Sequence, residues 1–512
     1  MRLALASIAV ASTVCWAEAT APTVAVTGGK IRGSAAAYGG AVFKGIPFAQ
    51  PPTGALRWRE PLPVKPWAGT RDATAFGAPC VQGGAQGAES SEDCLYLNIW
   101  TPERSAAAHL PVLVWIYGGG FSNGSASMPL YWGDQLARKG IVVVTAAYRV
   151  GAFGFLAHPE LTRESPHATS GNYGLLDQIA ALRWVKNNIA AMGGDPGRVT
   201  IAGQSAGSMS VSILMASPQS AGLFNGAIGE SGGFFEPVQL APGYLLPNAE
   251  KEGVAFAQSL GATSLAALRA LPAEKILSGQ MPHGAHPVIE SHVLPAPPYD
   301  TFSAGKQNDV PLLVGTNAEE SRSLVDVSNI RAATFAADIE KSFGRLPPQL
   351  FDQYPHATDA EARQARIDFE TDLRFRWDMW VWARLQSAKG RGKVYAYSFD
   401  HQPPFPSGSV RAGWGASHFA ELWYVFNHLD QEAYRWTPAD RRLADAISSY
   451  WVNFVKTGNP NARGLPSWPE FKGPNGPVLK LADPIAEAPM PSTEHLSVFD
   501  AIYTQVRAAP LH

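Results

Sequence analysis

Residues 199–207 read Val-Thr-Ile-Ala-Gly-Gln-Ser-Ala-Gly, and this stretch says most about the fold of the chain. Its first four residues are apolar or β-branched, as in a buried strand, and residues 209–215 can continue as a helix. The segment between them matches G-x-S-x-G, the sharp strand-to-helix turn that exposes a serine hydroxyl. Such a strained turn requires small neighbours, so the pattern predicts Ser205 as a nucleophile directly after a strand.

The same pattern occurs a second time at residues 229–233, around Ser231. Because the chain has 49 glycines, so short a motif arises by chance about once in every few such chains. Ser231 is followed by Phe234, Phe235 and Pro237, which are a poor beginning for a helix. The context therefore favours Ser205, and Ser231 at most supports it.

Short apolar runs alternate with helical patterns along the rest of the chain. Strands buried on both faces are predicted over residues 112–116, 141–144, 199–202, 311–314 and 394–397. Residues 175–192 repeat apolar side chains every three or four positions, as a helix does, and Gly193 follows as a stop signal. This alternation predicts the α/β class, with a mainly parallel sheet covered by helices on both faces.

Composition limits the possible functions. Hydrophobic residues make up 46% of the 512 positions and charged residues 16%, with a formal net charge of −2. This excludes a largely disordered chain, and a nearly neutral chain is a poor candidate for binding nucleic acid, which requires many cationic contacts. We find no internal repeat or long linker, so residues 20–512 are expected to form a single domain.

The N-terminus has the pattern of a secretory signal. Arg2 precedes an uncharged run over residues 3–16, and Ala17-Glu18-Ala19 is a small-x-small cleavage site. The run is too short to span a membrane, which takes about 20 residues as a helix. We therefore expect residues 1–19 to be removed and the protein to be exported, with no stable membrane insertion. A buried N-terminal helix is the alternative.

Cleavage after Ala19 would leave two cysteines, Cys80 and Cys94. An even pair in an exported protein predicts one disulfide, here closing a glycine-rich loop. Two free buried thiols are the alternative, whereas a metal site is disfavoured because no histidine lies nearby in the sequence.

A glycine triplet at residues 118–120 directly follows the predicted strand 112–116. Such a loop lets backbone N–H groups approach a carbonyl closely, and donors of this kind stabilise the oxyanion of acyl transfer. A flexible turn or a phosphate cradle are the alternatives, although no Lys-Ser/Thr pair follows it to meet a nucleotide.

Five longer motifs occur in the order found in type B carboxylesterases of the α/β-hydrolase superfamily. They are Phe-Lys-Gly-Ile-Pro-Phe-Ala at 43–49, Ser-Glu-Asp-Cys-Leu-Tyr-Leu-Asn at 91–98, Gly-Asn-Tyr-Gly-Leu-Leu-Asp-Gln at 171–178, Gly-Gly-Asp-Pro at 193–196 and the turn at 203–207. The chain resembles this family over nearly its whole length. The resemblance implies an α/β-hydrolase fold and a serine esterase acting on small-molecule esters, with no metal or cofactor.

The resemblance also implies the partners of the serine, which follow it in the order acid, then histidine. The family's acid loop matches residues 315–321, where the match falls on Glu320 and Glu319 is the rival. The family's histidine matches His418, although His401, directly after a predicted strand, is what the residues alone would favour.

By the same resemblance, Gly119, Gly120 and Ala206 would donate the N–H groups of an oxyanion hole. Cys80 and Cys94 match the family's N-terminal disulfide.

Two departures from the cholinesterase branch argue against choline esters. Gln204 stands where cholinesterases carry Glu, and the loop over residues 80–94 is short and has no Trp to stack on a quaternary ammonium. A hydrolase dedicated to one large natural ester is an alternative, since the aromatics of residues 369–385 could line a pocket. A packed helix explains those aromatics equally simply. A non-catalytic binding protein of the same fold is a further alternative, but it would typically lack the serine or histidine.

Overall fold

The computed structural model describes residues 21–84, 89–344 and 346–510. The signal sequence and cleavage site expected over residues 1–19 lie outside the described residues. Within these ranges, no helix is both long enough and apolar enough to cross a membrane.

The described chain contains fourteen strands and sixteen α-helices. The strands are β1 (Thr23–Val26), β2 (Gly29–Arg32), β3 (Ser34–Ala35), β4 (Ala41–Pro47), β5 (Thr70–Asp72), β6 (Tyr96–Thr101), β7 (Leu110–Ile116), β8 (Val142–Ala146), β9 (Gly194–Gln204), β10 (Gly226–Glu230), β11 (Leu312–Asn317), β12 (Val394–Phe399), β13 (Val478–Leu481) and β14 (Ala486–Ala488). The helices are α1 (Asp134–Arg138), α2 (Gly151–Phe155), α3 (Pro159–Glu164), α4 (Tyr173–Asn188), α5 (Ala206–Ala216), α6 (Leu246–Ser259), α7 (Leu265–Arg269), α8 (Ala273–Leu277), α9 (Pro298–Ser303), α10 (Phe335–Phe343), α11 (Pro348–Phe351), α12 (Asp359–Thr371), α13 (Trp377–Lys389), α14 (Leu422–Val425), α15 (Pro438–Thr457) and α16 (Thr493–Ala508).

Eleven of these strands form one sheet in the order β14-β13-β12-β11-β10-β9-β7-β8-β6-β4-β3. The strands from β8 to β13 are parallel, and antiparallel pairs close both ends of the sheet. All five predicted strands lie in the parallel part. Their residues are almost entirely buried, as expected for strands covered on both faces.

The strand order reverses between β7 and β9. The chain passes from β7 to β8 on one side, then crosses back to place β9 on the other side of β7 and continues outward to β13. In parallel sheets, the loops that leave two such strands diverge and open a crevice at their carboxyl ends, where ligands bind. The predicted glycine loop follows β7 and Ser205 follows β9, so both lie at this point.

The predicted helix over residues 175–192 is α4, continued by a 3₁₀ turn at Ile189–Met192. Gly193 ends it with a φ of 82°, a left-handed conformation that glycine adopts without strain. Strand β9 begins earlier than predicted, at Gly194, and includes Pro196. At the start of α15, the hydroxyl of Thr437 accepts a hydrogen bond from the Asp440 backbone N–H, and the Asp440 side chain caps the Thr437 N–H in return.

Cys80 and Cys94 form a disulfide, with their Cα atoms 4.9 Å apart and both side chains buried. Close to this cross-link, the side chain of Gln82 binds the backbone of Gly124 twice. Its Nε2 donates to the Gly124 carbonyl and its Oε1 accepts from the Gly124 N–H, both at 2.8 Å. The disulfide loop is thus tied to the loop that follows β7.

We expect the double variant Cys80→Ala/Cys94→Ala to lose about 3 kcal/mol of unfolding free energy, the chain-entropy estimate for a closed loop of this size. Urea unfolding followed by tryptophan fluorescence would measure the loss. Reduced wild-type protein is the control and should lose a similar amount. An unchanged urea midpoint in both would contradict a stabilising role for the cross-link.

Candidate active site

Ser205 occupies a strained turn between β9 and α5. Its φ is 58°, a left-handed conformation that non-glycine residues rarely adopt. The turn leaves no space for side chains around it: a Cβ on Gly203 would lie 2.5 Å from the Gly207 backbone, and one on Gly207 would lie 2.0 Å from the Ile116 carbonyl oxygen. The two glycines of the motif therefore let the turn pack against the end of β7, and Ser205 stays partly exposed.

Ser231 also has a positive φ, 55°, but it is fully buried. Its backbone N–H donates to the Gly315 carbonyl at 2.9 Å, and no helix begins within the residues that directly follow it. A substrate would have to open the core to reach this hydroxyl, so Ser231 does not compete with Ser205.

Glu320 and His418 meet at the same edge of the sheet, although they are distant in the sequence. Glu320 begins a 3₁₀ turn shortly after β11, and its Oε2 accepts a hydrogen bond from Nδ1 of His418 at 2.7 Å. Its Oε1 accepts from the Asn317 backbone N–H at 2.6 Å, which fixes the carboxylate. With Nδ1 protonated and facing Glu320, Nε2 of the imidazole is the nitrogen that can act as a base.

The rival residues have structural partners. Glu319 forms an ion pair with Arg322 at 2.6 Å and accepts from the Ala416 backbone N–H at 3.2 Å. His401 binds Asp440 at 2.7 Å through Nε2, and Asp440 belongs to the cap of α15. Neither rival contacts His418 or Ser205 in the described structure.

The loop after β7 brings backbone N–H groups beside Ser205. Gly119 and Gly120 have φ values of 108° and 60°. A Cβ on Gly119 would lie 2.2 Å from the Asn123 carbonyl oxygen, so the tight turn requires glycine there. Ala206 is the first residue of α5, where N–H groups have no partner within the helix and the helix dipole favours negative charge. This arrangement suits an oxyanion that forms next to Ser205.

A cavity of about 320 Å³ opens beside His418 and the glycine loop. Its walls are mainly apolar and aromatic, with one cation, Arg411, that is already paired with Glu432 at 2.9 Å. The lining residues are Gly118, Gly119, Asn123, Gly124, Met128, Leu130, Tyr131, Phe405, Val410, Arg411, Trp414, His418, Phe419 and Trp423.

The aromatic segment over residues 369–385 is mostly core, in agreement with the simpler expectation. Trp377, Trp380 and Trp382 are buried within α13. Phe375 lies in a π-helical turn before α13, and its ring centroid is 4.6 Å from that of His418. The segment therefore supports the histidine through Phe375.

Two further buried carboxyls lie close to the site. Glu230 ends β10, and its Oε1 accepts from the indole N–H of Trp451 at 2.7 Å. Burial raises the pKa of Glu230 to about 8. Burial, together with the neighbouring Glu320 and Glu230, also holds the pKa of Glu421 well above its usual range. Sequence analysis missed both groups, although Glu230 lies in the second G-x-S-x-G motif and Glu421 is three residues after His418.

One group of side chains in the described ranges has the residue types of a metal site: Glu60, His167 and His292, whose ligand atoms lie within 4.8 Å of one another. The two imidazoles are stacked, with centroids 3.6 Å apart and an angle of 7° between their planes. A bound ion lies near the plane of each imidazole, along the nitrogen lone pair. Parallel stacked rings offer no such shared position, so this arrangement does not fit one ion and we assign it none.

Known proteins resemble this chain in both sequence and fold. The sequence model of the Carboxylesterase family matches residues 20–498. The chain belongs to the carboxylesterase family. Its relatives include the fumonisin B1 esterase of Sphingopyxis macrogoltabida, 38% identical over 453 residues, covering 84% of this chain and 81% of the relative. The para-nitrobenzyl esterase of Bacillus subtilis (strain 168) is 35% identical over 494 residues, covering 91% of this chain and 96% of the relative.

Solved structures of family members superpose over almost the whole chain. A PNB esterase has a TM-score of 0.79 and 34% identity, covering 93% of this carboxylesterase and 100% of the solved chain. A Geobacillus stearothermophilus carboxylesterase has a TM-score of 0.81 and 32% identity, covering 93% and 99%. The carboxylesterase thus has the α/β-hydrolase fold and is a serine hydrolase of carboxylic esters.

The raised pKa of Glu230 has a consequence for stability. Because the carboxyl binds its proton more tightly in the folded than in the unfolded carboxylesterase, its contribution to the unfolding free energy falls as the pH rises from about 4.5 to about 8. We expect Glu230→Gln to remove this loss, since the amide oxygen can still accept from Trp451. The variant should therefore gain stability relative to wild type across that window, as measured by urea unfolding at pH 5, 6.5 and 8. A constant difference at the three pH values would contradict the assignment.

Proposed function

We propose that Ser205 is the nucleophile, His418 the general base and Glu320 the acid of this carboxylesterase. The observation that carries the proposal is the 2.7 Å hydrogen bond between Glu320 Oε2 and His418 Nδ1 at the sheet edge that also holds Ser205. His418 Nε2 takes the proton of the Ser205 hydroxyl as the oxygen attacks the ester carbonyl. Glu320 stabilises the imidazolium that results.

The tetrahedral intermediate then collapses to an acyl-enzyme. Its oxyanion accepts from the N–H groups of Gly119, Gly120 and Ala206, and each such donor is worth about 3–4 kcal/mol of barrier. The imidazolium of His418 gives its proton to the leaving alcohol. Water then attacks the acyl-enzyme with His418 again as the base, and Ser205 recovers its proton as the acid product departs.

Uncharged esters with an apolar acyl or alcohol group of moderate size are the substrates that the cavity favours. Its aromatic walls, among them Trp414, Phe419 and Trp423, offer contacts to such groups, and Arg411, the one cation among the described lining residues, is already paired. The relatives' names include a fumonisin B1 esterase and a para-nitrobenzyl esterase, so family members act on esters of different size. Choline esters remain an unfavoured class for this chain, because the loop over residues 80–94 carries no Trp.

The second part of the proposal is that the protein is exported after cleavage of an N-terminal signal sequence. The buried Cys80–Cys94 disulfide forms and persists in oxidising compartments, and the N-terminal residues have the pattern of a signal cleaved near Ala19. N-terminal sequencing of the protein recovered from a periplasmic or culture-medium fraction would test it. A mature chain that still begins at Met1 would contradict it.

Removal of the nucleophile is the direct test of the mechanism. We expect wild-type protein to turn over p-nitrophenyl acetate, butyrate and octanoate, and Ser205→Ala to lower kcat/KM by at least about 10³-fold. Ser231→Ala is the matched control, because it changes the serine of the second G-x-S-x-G motif, and it should retain turnover. Turnover that survives in a folded Ser205→Ala variant would rule out this nucleophile.

The choice between the two adjacent glutamates can be tested by the same assay. Glu320→Gln removes the charge that stabilises the imidazolium and allows the wrong tautomer of His418, so kcat should fall by about 10³–10⁴-fold. Glu319→Gln is its neighbour-matched control and should leave kcat nearly unchanged. The reverse order of effects would assign the acid to Glu319.

A further inference from the structure

The side chain of Gln204 packs directly on the imidazole of His418. Gln204 is the last residue of β9 and is fully buried. Its amide Nε2 lies 3.2 Å from Nε2 and 3.4 Å from Nδ1 of the His418 ring. Because the two ring nitrogens flank a single carbon, an atom in the ring plane at nearly equal distances from both would overlap that carbon. The amide therefore lies over the face of the ring, and it does not use the in-plane lone pair that receives the Ser205 proton.

The other contacts of His418 leave one face of the imidazole open to the Gln204 amide. Glu320 binds Nδ1 at the ring edge, while the rings of Phe375 and Phe419 have centroids 4.6 and 4.5 Å from that of His418. On its other side, Gln204 faces the glycine loop: a Cβ on Gly118 would lie 3.2 Å from Gln204 Oε1. The amide is thus wedged between the glycine loop and the imidazole.

The charge of the group at this position affects the protonation of the ring. An amide N–H directed at the face of a neutral imidazole interacts favourably with the ring. When the imidazole is protonated, the same N–H places the positive end of its dipole against a cation, which is unfavourable. A carboxylate at the same place would instead favour the imidazolium, as opposite charges within a few ångströms do. Gln204 differs from glutamate, the residue that cholinesterases carry at this position, only in having an amide NH₂ in place of one carboxylate oxygen.

We propose that Gln204 is a positioning residue that holds the His418 ring in line with Ser205 and keeps its neutral, basic form available at lower pH than a carboxylate here would allow. The inference rests on the proposed roles of Ser205 and His418. It concerns the acidic side of the pH profile, where the base becomes protonated.

Other ionisable groups lie close to Glu320, the partner of the histidine, and they are common to all the variants compared. Glu320 binds the ring, and the buried Glu421 lies near both Glu320 and Glu230. Burial, together with these three carboxyls, raises the pKa of Tyr397 well above the usual range. Glu319 lies one residue before Glu320 but is paired with Arg322. A difference between profiles therefore reports on position 204 alone.

The test is the pH dependence of kcat/KM for p-nitrophenyl butyrate in wild type, Gln204→Met and Gln204→Glu. We expect the midpoint of the acid limb to be lowest in wild type, higher in Gln204→Met and highest in Gln204→Glu, with a shift on the order of one pH unit in the last. Gln204→Met should also lower kcat on the plateau with little change in KM, because the ring is held less well while the cavity walls are unchanged.

A matched control comes from Gln178, a buried glutamine of α4 whose Nε2 donates to the Ser210 hydroxyl at 3.1 Å, away from the histidine. Gln178→Met should leave the acid limb in place. Superimposable acid limbs in wild type and both Gln204 variants would overturn the proposal, as would an equal shift in Gln178→Met.

Active-site titration with a fluorophosphonate separates this inference from the underlying mechanism. The titration counts the competent sites in each variant, so a variant that folds poorly can still be compared per folded active site. The labelling rate, measured as a function of pH, gives the same acid limb without substrate turnover. Wild type that neither turns over esters nor labels at Ser205 would refute the proposed function. Wild type that does both, with no shift at position 204, would refute the role of Gln204 alone.

Discussion

The close approach of the turn after β9 to the end of β7 is the constraint on which the site depends. Ile116 and Gly203 are paired in the sheet, and a Cβ on Gly207 would lie 2.0 Å from the Ile116 carbonyl oxygen. The same approach places Gly118 so that a Cβ there would lie 2.9 Å from the Ser205 Cβ. Because Ser205 and the glycine loop follow neighbouring strands where the strand order reverses, one packing contact sets their relative position.

Support for the site comes from residues that do no chemistry. The disulfide loop holds the glycine loop through Gln82, whose side chain forms hydrogen bonds with both the N–H and the carbonyl of Gly124. Phe375 packs on the imidazole, and Asn317 fixes the Glu320 carboxylate through its backbone N–H. Each of these groups is buried, so its hydrogen bond or contact is not in competition with water.

The sequence predicted the parallel strands, α4 and the turn at Ser205 because each has a local signature: β-branched apolar runs, a 3.6-residue stripe and paired glycines. No local pattern predicted Glu320 and His418, the proposed acid and base, because they lie in separate loops, one after β11 and the other after β12. Their choice over Glu319 and His401 came from the family resemblance. Gln82 and the buried Glu230 and Glu421 were missed as parts of the site because only tertiary packing brings them there. Phe375 was considered only as one of the aromatics of residues 369–385, and its contact with His418 was not predicted.

The crowding of the Ser205 turn also limits how this enzyme can change. Gly203 and Gly207 have no sterically free replacement, and Ser205 is the proposed nucleophile, so variation within the motif is confined to positions 204 and 206. Both of these positions belong to the proposed centre: residue 204 lies on the face of the His418 imidazole, and residue 206 carries the first N–H of α5. In the proposed mechanism, single substitutions at these two positions would therefore change the proton affinity of His418 and the anion affinity of the oxyanion hole, while the backbone around Ser205 stays the same.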